Sequence, residues 1–108
     1  MTVQELATAL KCETVCMPEP ERDVTGGYAG DLLSWVMGRA NAGDVWVTIM
    51  SNVNIIAVST LADPACVLLA ENVVPDEQAV QRAKEQGINL FRTEMDTFSA
   101  CAAVAALL

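Results

Sequence analysis

The sequence predicts an α/β fold, in which a small, mostly parallel central sheet lies between helices in a three-layer α/β/α arrangement. Segments with strand character alternate with helical segments, and the loops between them are short. The segment Val45 to Met50 is apolar at nearly every position, as expected for a strand covered on both faces. Such alternation is most economically built from parallel crossovers. At 108 residues, we expect a single domain, 1–108, with one modest core.

The chain begins with a helix and a short strand. Thr2 can cap a helix that runs to Leu10, and Glu5, three residues on, completes a capping box. Residues 13–17 are predicted to form a strand. Pro18 and Pro20 then interrupt regular structure before a glycine segment, RDVTGGYAGD at 22–31.

Helices and strands alternate after the glycine segment. In chain order they are predicted as a helix from Asp31 to about Asn41, a strand at Val45 to Met50, a helix at Val53 to Leu61, a strand at Ala65 to Ala70, a helix from Asp76 to Gly87, a strand at Ile88 to Phe91, and a closing helix capped by Asp96 or Thr97. Asp63-Pro64 and Gly87 are stop signals for the second and third of these helices. The closing helix is expected to bury a face formed by Phe98, Cys101, Ala102, Ala105 and Leu108.

The glycine segment fits neither of two familiar phosphate-binding motifs. A P-loop needs Gly-Lys-Ser/Thr at its end, but Gly30 is followed by Asp31. A dinucleotide fingerprint needs GxGxxG directly after a strand, whereas this segment has GGxxG after a proline-rich, charged stretch. The residues alone therefore do not predict phosphoryl transfer or dinucleotide binding.

Two interpretations of the segment remain. In the structural one, Gly26 and Gly27 form a turn with positive φ, and Gly30 lets the next helix start close to the sheet. In the binding one, the backbone N–H groups of both glycines and the Thr25 hydroxyl form an anion site at a helix N-terminus. Asp31 argues against an anion, because its carboxylate would compete for that terminus.

A second candidate binding group follows the central strand. Ser51, Asn52 and Asn54 come after the segment Val45 to Met50, at the carboxyl end where doubly wound sheets place ligands. The plainer interpretation is that Ser51 or Asn52 caps the next helix. Thr93, after the last predicted strand, belongs to the same edge.

Asp23-Val24-Thr25-Gly26-Gly27 resembles the Asp-Arg-Thr-Gly-Gly signature of the DRTGG domain family, with Val24 in place of arginine. The likeness continues through GDLLSWVMGRA, GDVWVTI, NIIAVSTLADPACVLLAE and DEQAVQRAKEQGI, so it covers nearly the whole chain. It implies an α/β/α domain similar to the N-terminal domain of HPr kinase/phosphorylase. Such domains act as non-catalytic regulatory or assembly modules, commonly dimeric and sometimes in proteins regulated by adenine nucleotides.

Similar stand-alone domains occur in anaerobic bacteria beside iron-hydrogenase and redox genes, so the resemblance also implies a protein partner in that metabolism. The kinase activity is not implied, because the kinase's P-loop domain has no counterpart in the likeness. If a nucleotide-like ligand binds at the glycine segment, we expect its contacts at Asp23, Thr25, Gly26, Gly27, Gly30 and Asp31. Val24 cannot donate the hydrogen bonds of an arginine, and Arg22, two positions earlier, is the nearest replacement.

Charge and composition exclude several classes of partner. The formal net charge is −8, and the six basic residues are scattered, so we expect neither a nucleic-acid partner nor an acidic membrane surface. No signal peptide or membrane span is expected, which favours a cytoplasmic protein. Trp35 and Trp46 are candidates for the core or for an interface, and a homodimer that buries a sheet edge or helix face is expected.

No catalytic residue, cofactor or metal is predicted. The chain has no histidine, which excludes most nucleophilic triads. Two alternatives stay open: a phosphotransfer or kinase-like enzyme subunit, and a metal or redox protein that uses Cys12, Cys16, Cys66 and Cys101. We expect the four thiols to be core side chains.

Overall fold

The computed structural model describes residues 1–108, which form five helices and five strands. In chain order they are α1 (Val3–Leu10), β1 (Glu13–Cys16), β2 (Gly26–Ala29), α2 (Leu33–Arg39), β3 (Asp44–Thr48), α3 (Asn54–Ala62), β4 (Cys66–Leu69), α4 (Glu77–Gln86), β5 (Leu90–Arg92) and α5 (Thr97–Leu107). No helix is long and apolar enough to cross a lipid bilayer.

The strands form one sheet in the order β1-β5-β4-β3-β2. Strands β2, β3, β4 and β5 are parallel to one another, and β1 pairs antiparallel with β5. The central strands β3 and β4 are buried at every residue. This confirms the predicted mostly parallel sheet and the expectation that its central strands are covered on both faces.

Two helical layers cover the sheet, as predicted for a three-layer fold. One core lies under α2, α3 and α4 and includes Trp46, Val67 and Leu69. The other lies under α1 and α5 and includes Val45, Val47 and Leu68. Neighbouring residues of one strand thus point to opposite cores, as the alternation of a strand requires.

The glycine segment is a strand, and the predicted positive-φ turn is wrong. Gly26 and Gly27 pair in parallel register with Asp44 and Val45, and the two glycines with positive φ are Gly43 and Gly87. The prediction failed because glycine favours turns by composition, whereas the four-residue GGYA segment gains the hydrogen bonds of the neighbouring strand β3. Helix α2 correspondingly begins at Leu33 rather than at Asp31.

The N-caps of α1 and α5 were predicted correctly, but the buried face of α5 was not. Thr2 and Glu5 form the capping box of α1, and the Asp96 carboxylate accepts a hydrogen bond from the Ser99 amide at 2.7 Å. In α5 the buried residues are Ala100 and Val104, while Phe98, expected on the inner face, is 84% exposed. An alanine-rich helix has no clear apolar side, so its orientation is decided by packing against the sheet.

Candidate functional site

The predicted site residues lie at two opposite edges of the sheet. Because β2 and β3 are parallel, Asp23, Thr25 and Gly26 lie at the amino edge, where both strands begin. Gly30 and Asp31 follow β2 at the carboxyl edge, together with the group after β3, which consists of Ser51, Asn52 and Asn54. Gly27 lies within the strand between them. The structure therefore separates residues that sequence adjacency had grouped into one site.

At the amino edge, Gly26 makes room for a buried carboxylate. Asp44 is only 5% exposed, and its Oδ2 accepts a hydrogen bond from the Asn41 amide at 2.7 Å. A Cβ atom added at Gly26 would lie 2.7 Å from Asp44 Oδ1. The need for glycine at this position is thus explained by a contact within the fold.

Thr25 and Asp23 also take part in contacts of the fold. The Thr25 amide donates to the Gly43 carbonyl at 3.0 Å, and a side chain at Gly43, whose φ is +88°, would collide with the Thr25 hydroxyl. Asp23 forms an isolated antiparallel bridge with Thr2. This edge connects β2 to the start of α1 and to the loop before β3.

Val24, at the position of the signature arginine, is a core residue. It is 5% exposed and belongs to the core under α1 and α5. Arg22 does not replace the missing arginine there: its Nη1 lies 2.7 Å from Asp63 Oδ1, and its Nη2 donates to the Asp63 carbonyl at 2.8 Å. The hydrogen bond to Asp63 raises the pKa of the Arg22 guanidinium. Since Asp63 is the C-cap of α3, Arg22 binds the C-terminus of that helix.

At the carboxyl edge, Asp31 joins the ends of β2 and β3. Its Oδ1 accepts hydrogen bonds from the Thr48 hydroxyl at 2.8 Å and from the Ile49 amide at 3.0 Å. The Thr48 hydroxyl in turn accepts one from the Met50 amide at 3.3 Å. The Asp31 carboxylate therefore fixes the strand ends, and Leu32, not Asp31, occupies the N-cap of α2.

The residues after β3 carry free polar groups, but neither Ser51 nor Asn52 is the N-cap of α3. That position is held by Val53, which makes no side-chain cap hydrogen bond, while Asn52 Oδ1 accepts a hydrogen bond from the Asn54 amide at 2.9 Å in the turn that leads into the helix. The Ser51 hydroxyl and the Asn54 side-chain amide have no hydrogen-bond partner within the chain. Asn54 is exposed and Ser51 half-buried, so both are accessible to a ligand.

A further polar group, of which the sequence indicated only Thr93, lies at the carboxyl end of β5. Arg92 Nη1 lies 2.5 Å from Glu13 Oε2, and its Nη2 donates to the Asn72 carbonyl at 2.9 Å and to Asn72 Oδ1 at 2.8 Å. Its Nε donates to the Val73 carbonyl at 3.0 Å. The available sequence signal was an arginine at the end of the last strand, just before Thr93. A cavity of about 340 Å³ opens beside Arg92.

The four cysteines are free thiols in or beside the core. Burial raises the pKa of the Cys66 thiol to about 12 and also raises the pKa values of the other three thiols. No three side chains of the types that bind metals lie close enough together to hold an ion. Nothing in this arrangement favours the metal or redox alternative, which requires reactive thiolates.

Comparisons with known proteins identify the family. The DRTGG domain model matches residues 5–107, and no curated protein matches the chain by sequence. A similar solved structure is that of the CBS and DRTGG domains of the regulatory region of Clostridium perfringens pyrophosphatase, complexed with its activator, diadenosine tetraphosphate.

The TM-score to that structure is 0.71 at 15% sequence identity, over 95% of this chain and 45% of the other. This chain thus spans less than half the length of that regulatory region, and at such identity the likeness supports the α/β/α fold alone. The sequence model, by contrast, extends over nearly every residue. The chain therefore belongs to the DRTGG domain family.

Proposed function

We propose that this chain is a non-catalytic regulatory or scaffolding domain that senses an adenine-nucleotide-like ligand in the cytoplasm. The observation that carries the proposal is the match to the DRTGG model over residues 5–107. The structurally similar region is itself regulatory and was crystallised with a dinucleotide activator. The absence of histidine and of a P-loop from the sequence is consistent with a domain that binds without catalysis.

The ligand contacts are proposed at the carboxyl edge, on Asp31, Ser51, Asn52 and Asn54. The Ser51 hydroxyl and the Asn54 amide have no partner within the chain, and they lie where α3 begins, so they can donate to a phosphate or ribose oxygen. The amino-edge group is the weaker candidate because its polar atoms already serve β2 and α1.

Isothermal calorimetry with ATP, ADP, AMP and diadenosine polyphosphates tests the ligand clause. Binding of at least one nucleotide is expected, and Ser51→Ala and Asn54→Ala should each weaken it, while Asp23→Ala at the opposite edge should not. If no nucleotide gives a heat of binding, the proposed nucleotide ligand is refuted, while the proposed scaffolding role is unaffected. Weakening by Asp23→Ala alone would move the site to the amino edge.

The domain is further proposed to act as a homodimer or with a protein partner of hydrogenase-linked redox metabolism. Three large apolar side chains at α2 are about half exposed: Leu32 (58%), Trp35 (51%) and Met37 (48%). Such exposure is typical of an interface. Sedimentation equilibrium tests the dimer. The wild type should sediment as a dimer, and Trp35→Glu should sediment as a monomer because the added charge lies in the interface. Phe98→Glu, which adds the same charge at an exposed site on α5, is the control and should remain a dimer.

Partnership with hydrogenase metabolism is tested by mixing the purified chain with a purified iron hydrogenase under anaerobic conditions. Comigration on size exclusion that Trp35→Glu abolishes would support the proposal. Separate elution at micromolar concentrations of both proteins would count against it.

A further inference from the structure

The path of the chain creates a crevice between the carboxyl ends of β4 and β5. These two strands are parallel neighbours. After β4 the chain crosses to α4, which packs on the core containing Val67 and Leu69, and after β5 it crosses to α5, on the core containing Leu68. Adjacent parallel strands whose connections leave on opposite faces mark the topological switch point at which open α/β sheets bind ligands.

The two connections are held together by backbone hydrogen bonds. The Glu71 amide donates to the Met95 carbonyl at 2.8 Å, and the Asn72 amide donates to the Thr93 carbonyl at 2.9 Å. The pocket lies between these joined connections and the turn from α1 to β1: residues 10–13 form one wall, the segment from Arg92 to Met95 forms the other, and Asn72 is the one lining residue from the connection after β4. The pocket is open to solvent on one side, and its volume of about 340 Å³ lies in the lower part of the range for small-molecule sites.

Arg92 is fixed at this cavity and retains a free donor. Four hydrogen bonds tie its guanidinium to the Val73 carbonyl, to Asn72 and to Glu13. A guanidinium has five N–H donors, so one is left for a ligand. A cation that its own chain already positions loses little conformational freedom when it binds an anion.

The lining carries two basic and two acidic side chains, so its formal charges cancel. Lys11 and Glu94 line the cavity with Arg92 and Glu13; the first two are exposed and form no ion pair within the chain. The Thr93 hydroxyl accepts from the Met95 amide and can still donate. No aromatic residue lines the cavity, so a nucleobase would have no ring to stack on.

The backbone around the cavity is unusual. Lys11, Glu71 and Asn72 have φ values of 54° to 59°, and they are three of the four non-glycine residues with positive φ in the chain. Lys11 has it because it is the left-handed C-cap that ends α1, whereas Glu71 and Asn72 adopt it in the turn after β4, at a cost in free energy for residues with a Cβ. The pocket and the charges that line it are the observations that mark the crevice as a candidate site.

We propose that the crevice binds a small zwitterion of the amino-acid type, with one carboxylate and one ammonium group. The carboxylate pairs with Lys11, the free Arg92 N–H and the Thr93 hydroxyl. The ammonium pairs with Glu94 and the remaining oxygen of Glu13. The site is separate from the proposed nucleotide contacts at Ser51 and Asn54, and it does not depend on them.

Calorimetry with the standard α-amino acids, each at up to about 10 mM, tests the proposal, with acetate and methylamine as probes that carry one charge each. At least one amino acid should bind, and both single-charge probes should bind more weakly. Lys11→Met and Glu94→Gln should each weaken binding about tenfold or more. The charge-matched controls Lys84→Met and Glu21→Gln, outside the cavity, should leave it unchanged.

Three results would overturn the proposal: no binding of any amino acid, binding that neither Lys11→Met nor Glu94→Gln weakens, or acetate binding as tightly as the best amino acid. Circular dichroism and urea unfolding of each variant ensure that a loss of binding is not a loss of folding. Ser51→Ala and Asn54→Ala should preserve amino-acid binding. Failure of the nucleotide site and failure of this one can therefore be told apart.

Discussion

The carboxylate of Asp44 occupies the space that a side chain at Gly26 would need. A Cβ at Gly26 would lie 2.7 Å from Asp44 Oδ1, far inside normal van der Waals contact. Asp44 cannot easily move away, since it is 5% exposed and its Oδ2 accepts a hydrogen bond from the Asn41 amide at 2.7 Å. The first glycine of the TGG sequence is thus required by a strand pair, without reference to a ligand.

We therefore expect Gly26→Ala to destabilise the domain by about 1–3 kcal/mol, the usual cost of overpacking a close contact. Urea unfolding followed by circular dichroism measures the change. The control is Gly38→Ala in α2, where an added Cβ has no atom within 4 Å and should stabilise the helix by about 0.5 kcal/mol or more. Equal stability of the two variants would contradict this account of Gly26.

Asp31 should be equally important for stability at the other end of β2. In Asp31→Ala, the fully buried Thr48 hydroxyl and the Ile49 amide lose their acceptor, at an expected cost of about 1–3 kcal/mol. Asp31→Asn keeps one acceptor oxygen and should lose less. Urea unfolding measures the loss of stability in both Asp31 variants. The control is Asp23→Ala, which removes no side-chain hydrogen bond, and its free energy of unfolding should lie within about 0.5 kcal/mol of that of the wild type. A result for Asp31→Ala as mild as that would count against the role of Asp31.

The sequence was most informative where local signals and tertiary packing agree. The β-branched run at β3, the capping box at Thr2 and Glu5, and the stop at Gly87 each have a local physical cause, and the structure confirms all three. The sheet order follows less directly from sequence, but the alternation of strands and helices already favours parallel pairing.

The sequence was least informative where the decisive contact is distant along the chain. Strand β2 was missed because its stability comes from pairing with β3, about eighteen residues later, while glycines alone favour a turn. The polar group around Arg92 was largely missed because Glu13 and Arg92 lie 79 positions apart. In the structure the candidate residues Ser51 and Asn54 are half-buried and exposed, respectively, and their role in binding stays a prediction. Adjacency in sequence could not reveal that Thr25 and Asp31 lie at opposite edges of the sheet.

Restoring the signature arginine should not be tolerated by this chain. Val24 is 5% exposed in the core under α1 and α5, so Val24→Arg would bury an unpaired guanidinium, and we expect a loss of more than about 3 kcal/mol or failure to fold. Val24→Ile adds one methyl group and should cost less than about 1.5 kcal/mol. Far-ultraviolet circular dichroism and urea unfolding compare the two. A stable Val24→Arg protein would mean that position 24 can reach solvent or an internal acid.

Stability should fall at alkaline pH because of the Cys66 thiol. Its pKa is raised from 9.0 to about 12 by burial, so the unfolded chain releases this proton more readily than the folded one. The stabilisation is complete below pH 9 and is lost as the pH rises toward 12, with a slope that approaches about 1.4 kcal/mol per pH unit. Cys66→Val keeps an apolar side chain, and unfolding in urea from about pH 8 to about pH 11 should show a flatter decline than in the wild type. The other three thiols, whose pKa values are also raised, are present in both proteins. The difference in pH dependence between the wild type and Cys66→Val therefore isolates Cys66. If the free energy of unfolding declined equally with pH in both proteins, Cys66 would not be a buried, protonated thiol.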